Sequence, residues 1–392
     1  MSKILIKNAN VITPNSVLEG TDVLVDNGKI YKIAKDINEL DAKVFDASEK
    51  YVCPGFIDIH THGGNGSDFM DATDEAYGRA MGFHLDNGTT ALVPTSCTAP
   101  EKNIIEFLEF SKKYVKKKRL GKTKVLGVHL EGPYLSVRNR GAQKLEELKV
   151  PSKDDYSYML KYADVIKTVT ISPELDGAAD MTERLTNAGI KVCGGHDDGI
   201  YPEFVPAIEK GFSHVTHLFC STSEIRFKNG RRNVGLREYA LTDDNLTAEL
   251  IADNRHIPPE LARLIFRTKG ADKTCVVSDS LRCAGMKDDG TIYTLGAGEG
   301  AQRVKIDDGV AKLESGVSYA GSITPVRKMV KNLIDAGIKL TDAVKAGTCT
   351  PANIIGETDI GRIEEGKIAD ICVLDSEFNL EKTMIDGIWV KE

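Results

Sequence analysis

Between residues 55 and 350, short runs of β-branched and aliphatic residues alternate with stretches of helical periodicity, and this alternation restricts the fold most. Strand-like runs at 89–94, 124–130, 165–172, 190–194 and 211–218 are separated by helical patterns at 75–87, 104–118, 154–163, 178–188 and 204–210. Such a rhythm implies parallel βαβ units. About 290 residues suit an α/β fold of the (β/α)8, TIM-like barrel type with insertions. The two ends read differently. Residues 3 to 50 and the tail beyond 361 are short strands and turns, each too small for a core of its own. The expected division is a small β-sandwich domain from residues 1–54 and 351–392, beside a barrel spanning 55–350.

A barrel of this kind carries its functional groups at the C-terminal ends of its strands, spaced by βα units of roughly 30 residues. The polar residues ending these runs are His60 and His62, Glu131, His196, His217 and Asp279. The gaps are 69 (131 − 62), 65 (196 − 131), 21 (217 − 196) and 62 (279 − 217) residues. They correspond to two units, two units, one short unit and two units. The groups then lie on strands 1, 3, 5, 6 and 8 and meet at one mouth.

His60 and His62 are two apart in a strand, so their rings project from one face. Alone, such a pair is an ordinary surface feature. Glu131, His196 and His217 change that reading: one carboxylate and two imidazoles are the ligand set of a catalytic zinc with an open position. Glycines 194 and 195 before His196 permit close approach of the backbone. His60 and His62 add a second metal position. The expected cofactor is one or two divalent ions, zinc by default for hydrolysis at a His/carboxylate site, with iron(II) as the other candidate. Asp279 is the expected acid/base, taking a proton from water and returning it to the leaving group. An amide nitrogen leaves poorly without that proton. Among the other histidines, His129 faces the same side as Glu131 and reads equally as support or as core. His214, three residues before His217, is expected to face the helices. His84 is a structural helix residue, and His256, after strand 7, is expected near the mouth as a substrate contact.

A net charge of −7 and a pI near 5.7 argue against a nucleic-acid or anionic-membrane binder. The basic run from Lys112 to Lys124 reads as a solvated face. No apolar run approaches the roughly 20 residues of a membrane span, and the charged N-terminal strand is not a signal peptide. Eight scattered cysteines without a paired spacing fit reduced thiols and a cytoplasmic location.

Several stretches together resemble the N-acetylglucosamine-6-phosphate deacetylase family of the amidohydrolase superfamily. They are the run from Pro54 to Gly63, His129-Leu130-Glu131-Gly132-Pro133-Tyr134, Gly195-His196, Thr216-His217-Leu218-Phe219, Ile251-Ala252-Asp253 with His256, Ser278-Asp279, Ala320-Gly321-Ser322 and the tail from Gly361 to Asp370. The likeness spans essentially the whole chain. It implies a metal-dependent deacetylation of an amino-sugar 6-phosphate, with Glu131, His196 and His217 as ligands and Asp279 as the catalytic acid. His60 and His62 match members that hold two metals. The departures cluster where substrate is read. Cys220-Ser221-Thr222 stands where the family has Asn-Ala-Met at the phosphate. Arg232-Asn233-Val234-Gly235 stands for Arg-Glu-Pro-Gly, whose arginine reaches a neighbouring subunit's phosphate and implies a homodimer. Gln143 replaces a histidine that contacts a sugar hydroxyl. The galactosamine epimer or another N-acyl substrate therefore stays open. So does a non-enzymatic barrel scaffold, against which the retention of all six key positions speaks.

Overall fold

The structure is a computed structural model that describes residues 3–391 apart from 118, 154, 299–300 and 317. Eight strands form the barrel: β1 (Phe56–Thr61), β2 (Thr89–Ser96), β3 (Val128–Glu131), β4 (Ile166–Ile171), β5 (Lys191–Gly194), β6 (His214–Val215), β7 (Thr247–Leu250) and β8 (Thr274–Val276). From β1 through β8 each pairs in parallel with the next. β1 and β2 are buried at every residue, as a sheet covered on both faces requires. Between β8 and β1 there is no strand ladder among the described residues. Single bonds close the ring there: Asp279 N–H to His60 O at 2.9 Å, and Ser278 N–H to Asp58 Oδ1 at 3.1 Å.

The strands are followed in turn by α1 (Asp74–Asp86), α2 (Glu101–Lys116), α3 (Ser157–Lys161), α4 (Ala178–Asn187), α5 (Tyr201–Glu209), α6 (Leu236–Thr242), α7 (Pro259–Lys269) and α8 (Val326–Asp335). Local chemistry sets their ends. Thr73 caps α1 by accepting from Ala76 N–H, while Pro259 opens α7 and Gly270, at φ 70°, follows its last turn. α2 begins at Glu101, three residues earlier than its periodicity suggests, because Pro100 starts the helix without needing an N–H partner. The expected end at 118 and the expected start of α3 at 154 lie outside the described residues. α3 stops at Lys161, as Val165 and Ile166 turn back to bond Tyr162 O and enter β4.

Between β8 and α8 the alternation is suspended. Strands Ile292–Leu295, Gln302–Asp307, Val310–Leu313 and Tyr319–Gly321 form an antiparallel sheet. Arg255, in the loop after β7, holds it by bonding Asp308 at 2.9 Å. At the chain ends, five strands between Ile4 and Pro54 join three between Ile371 and Lys391 in one mixed sheet, where Tyr51–Pro54 pairs antiparallel with Ile371–Leu374. Only Gly55 separates this sheet from β1. A Cβ there would stand 2.2 Å from Thr90 Oγ1, so the hand-over from sheet to barrel requires glycine. No helix among the described residues is long and apolar enough to cross a membrane.

Candidate metal and substrate site

The mouth of the barrel holds two groups of ligand-type side chains, Glu131/His196/His217 and His60/His62/Asp279, all buried. In the first, Glu131 Oε1 lies 3.1 Å from His196 Nε2 and 3.0 Å from His217 Nε2, and the two Nε2 atoms are 3.1 Å apart. Their protonation is fixed from behind. His196 Nδ1–H donates to Asn139 O at 2.9 Å, and His217 Nδ1–H donates to Cys220 O at 3.0 Å. A carbonyl can only accept, so each neutral ring turns an unprotonated Nε2 toward the carboxylate. Three acceptors then crowd one point without a proton among them, an arrangement that a cation resolves.

The second group repeats this logic. His60 Nδ1–H donates to Glu249 Oε2 at 2.8 Å, leaving His60 Nε2 buried without a hydrogen-bond partner. That atom stands 3.5 Å from Asp279 Oδ1, and His62 Nε2 stands 3.2 Å from the same oxygen. Glu131 lies between the groups, with Oε2 3.4 Å from His62 Nε2. Burial alone would lower both histidines. The carboxylates of Glu249, Asp279 and Glu131 override it and raise His60 to about 9, while Asp279 and Glu131 raise His62 to about 10. Burial would likewise raise Glu131, but the imidazoles of His196, His217, His62 and His60 around it hold its carboxyl well below the usual range. Among the described residues no lysine or arginine pairs with Glu131, Glu249 or Asp279. The buried negative charge and the orphaned imidazole nitrogen both fit a bound divalent cation.

His196, His217 and Asp279 all sit at positive φ (51°, 27° and 45°), where the strands break to aim side chains inward. This corrects the reading of His214. Regular alternation stops at Val215, so His217 turns inward despite its odd spacing. His214 then bonds Glu249 through Nε2 at 3.3 Å instead of facing the helices. His129 lies beneath the site, its ring 4.5 Å from that of His60 and its Nε2 2.7 Å from Thr170 Oγ1, with burial holding it well below the usual histidine range. His84 is buried against Thr61 Oγ1 at 2.9 Å.

A cavity of about 340 Å³ opens over both groups. Gln143, Cys220, Ser221 and His256 line it, with His62, Glu131, His196, His217 and Asp279. Gln143 also does something its sequence position did not suggest: its Nε2 donates to Glu131 Oε2 at 2.6 Å, and its Oε1 accepts from Thr98 N–H at 2.7 Å. His256 Nδ1 bonds Asp253 Oδ2 at 2.8 Å, which leaves Nε2 for a ligand. Arg232 does not reach this cavity. It is exposed on the hairpin formed by Arg226–Lys228 and Arg231–Asn233. Sequence reasoning missed Glu249, whose signal was an acid inside the apolar run Thr247–Leu250. It also missed Leu295, Ser318 and Tyr319, which the antiparallel insertion brings over the mouth.

The pattern of the amidohydrolase family matches residues 51–390. The chain belongs to the amidohydrolase family. It is 30% identical over 391 residues to N-acetylglucosamine-6-phosphate deacetylase of Bacillus subtilis, covering 98% of this chain and 96% of that one. It is 28% identical to N-acetylgalactosamine-6-phosphate deacetylase of Escherichia coli O157:H7, covering 90% of each. Its fold matches that of a Mycobacterium smegmatis N-acetyl-D-glucosamine-6-phosphate deacetylase variant in complex with N-acetyl-D-glucosamine-6-phosphate, with a TM-score of 0.91, 27% identity and full coverage of both chains. It is therefore a hydrolase akin to the amino-sugar-phosphate deacetylases.

Proposed function

We propose that this chain hydrolyses the acetamide of N-acetylglucosamine 6-phosphate, giving glucosamine 6-phosphate and acetate. The observation that carries the reading is the pair of converging acceptor groups around Glu131, with Asp279 facing the cavity above them. Glu131, His196 and His217 would hold one divalent ion, and His60, His62 and Asp279 a second, with Glu131 reaching both. Zinc suits the donors, with iron(II) as the alternative. A divalent ion at this site supplies Lewis acidity, polarising an amide carbonyl and easing ionisation of water. Asp279 accepts the proton of the attacking water at its carboxylate and returns it to the amide nitrogen. Gln143 keeps Glu131 oriented, and His256 Nε2 meets the distal end of the sugar phosphate.

Among the described residues no lysine or arginine lines the cavity. The phosphate charge is then met by His256, by the backbone near Cys220 and Ser221, and by Arg232 from a second copy in a homodimer. The eight cysteines are all free, in keeping with a cytoplasmic enzyme. Cys220 and Gln143 favour one second reading, the galactosamine epimer or another N-acyl substrate.

The deciding experiment is acetate release by zinc- and iron-loaded protein from N-acetylglucosamine 6-phosphate, its galacto epimer and both unphosphorylated sugars. Strong preference for the first supports the proposal. Equal or absent activity on phosphorylated sugars, with metal bound, moves the substrate elsewhere. Asp279→Asn is expected to lower kcat by about 10²–10⁴-fold while elemental analysis still finds metal at Glu131/His196/His217. A near-normal rate would remove Asp279 from the proton path.

A further inference from the structure

Glu249 is buried in the barrel interior beneath the mouth, 2% exposed, and does not line the cavity. Every bond it makes is one it accepts. Oε2 takes His60 Nδ1–H at 2.8 Å and His217 backbone N–H at 3.0 Å, and Oε1 takes His214 Nε2–H at 3.3 Å. His214 is steadied in turn by Thr247 Oγ1, 2.7 Å from its Nδ1. A single carboxylate on β7 thus reaches the ring of a residue on β1 and the backbone at the end of β6. These are residues of the two different ligand groups.

The two contacts differ in kind. The His217 contact is to backbone, and that ring's proton is already fixed by Cys220 O. The His60 contact is to the ring, and no other acceptor is bonded to its Nδ1. Without Glu249 the His60 proton is free to move to Nε2, which would fill the lone pair that faces Asp279. We propose that Glu249 is a positioning residue that selects the metal-accepting tautomer of His60, so that occupancy of the His60/His62/Asp279 position depends on it far more than occupancy of Glu131/His196/His217. This rests on the two-ion reading above.

The alternative is a carboxylate that merely satisfies buried donors. The two roles separate on substitution. In Glu249→Gln the amide oxygen can turn to His60 and its NH2 to His214, which then takes its other tautomer and donates from Nδ1 to Thr247. The His60 tautomer survives there while the charge is lost. Glu249→Met keeps the bulk and removes every acceptor.

Zinc titration of the full-length protein against a competing chelator tests this. Wild type is expected to take up two equivalents. Glu249→Met is expected to weaken one of them by about 10–100-fold and leave the other within about threefold, with Glu249→Gln between wild type and Met. In imidazole 1H–15N spectra of the metal-free protein, recorded on the alkaline side of the His60 titration so that the ring is neutral, the proton should sit on Nδ1 in wild type and be distributed over both nitrogens in Glu249→Met. Equal weakening of both equivalents, weakening of neither, or a Gln variant no better than Met would overturn the proposal. If Glu249→Met does not fold, Glu249→Gln and the wild-type spectrum decide, and a neutral wild-type His60 ring with its proton on Nε2 refutes it. A wild type that binds a single equivalent would instead defeat the two-ion reading, a separate result obtained before any variant is made.

Discussion

At the scale of single residues, the site depends on which nitrogen of each histidine carries a proton. Carbonyl oxygens fix His196 and His217, and a carboxylate fixes His60. This makes the site a competitor for protons when it lacks an ion. His60 and His62, raised to about 9 and 10 by their carboxylate neighbours, are protonated in the ion-free protein at neutral pH. A raised histidine stabilises the fold fully below its unfolded value of about 6.5 and loses that contribution as pH rises through the folded value. The ion-free protein should therefore lose thermal stability between about pH 6.5 and 10, and zinc uptake at pH 7 should release protons, readable by calorimetry in buffers of different ionisation enthalpy. Gln143 offers a second test. Gln143→Ala frees Glu131 Oε2 and should cost about 10-fold or more in metal retention during dialysis against chelator. The convergence of His60, His62, Glu131, His196, His217 and Asp279 was legible in the sequence because polar residues closing apolar strands are conspicuous. Glu249 was equally conspicuous, an acid between Ala248 and Leu250, but nothing in one strand says that the partner is His60 on another. His214 was misplaced because alternation assumes regular backbone, and His217 at φ 27° leaves it.

At the scale of elements, the barrel strands and most helices follow from periodicity, whereas the antiparallel insertion does not. Its strands resemble those of the terminal sheet, and no βα rhythm announces where they pack. Yet it delivers Leu295, Ser318 and Tyr319 to the cavity, and the Tyr319 ring lies 4.9 Å from that of His256. On the proposed function, Tyr319 would help to hold substrate from the cavity wall beside His256. Tyr319→Ala should raise KM by about 10-fold with kcat nearly unchanged, the mark of lost uniform binding. A matching fall in kcat would instead place the insertion in the chemical step.

At the scale of the whole molecule, the ring of strands is completed by the residues that form the site. Where β8 meets β1, Asp279 N–H bonds His60 O and Ser278 N–H bonds Asp58, in place of a ladder. An ion shared by His60, His62 and Asp279 would fasten that seam. Zinc at 1,000 times its dissociation constant would add about 4 kcal/mol to stability. Chelation should accordingly lower the Tm and speed hydrogen exchange first in 56–62 and 274–280; uniform acceleration around the barrel would deny the seam this role. The same seam bears on how the chain is made. His62 leaves the ribosome 217 residues (279 − 62) before Asp279, an interval of roughly 10–40 s at about 5–20 residues per second. Throughout that time a nascent chain holds His60 and His62 without Asp279, so on the two-ion reading capture of an ion by all three waits for the last barrel strand.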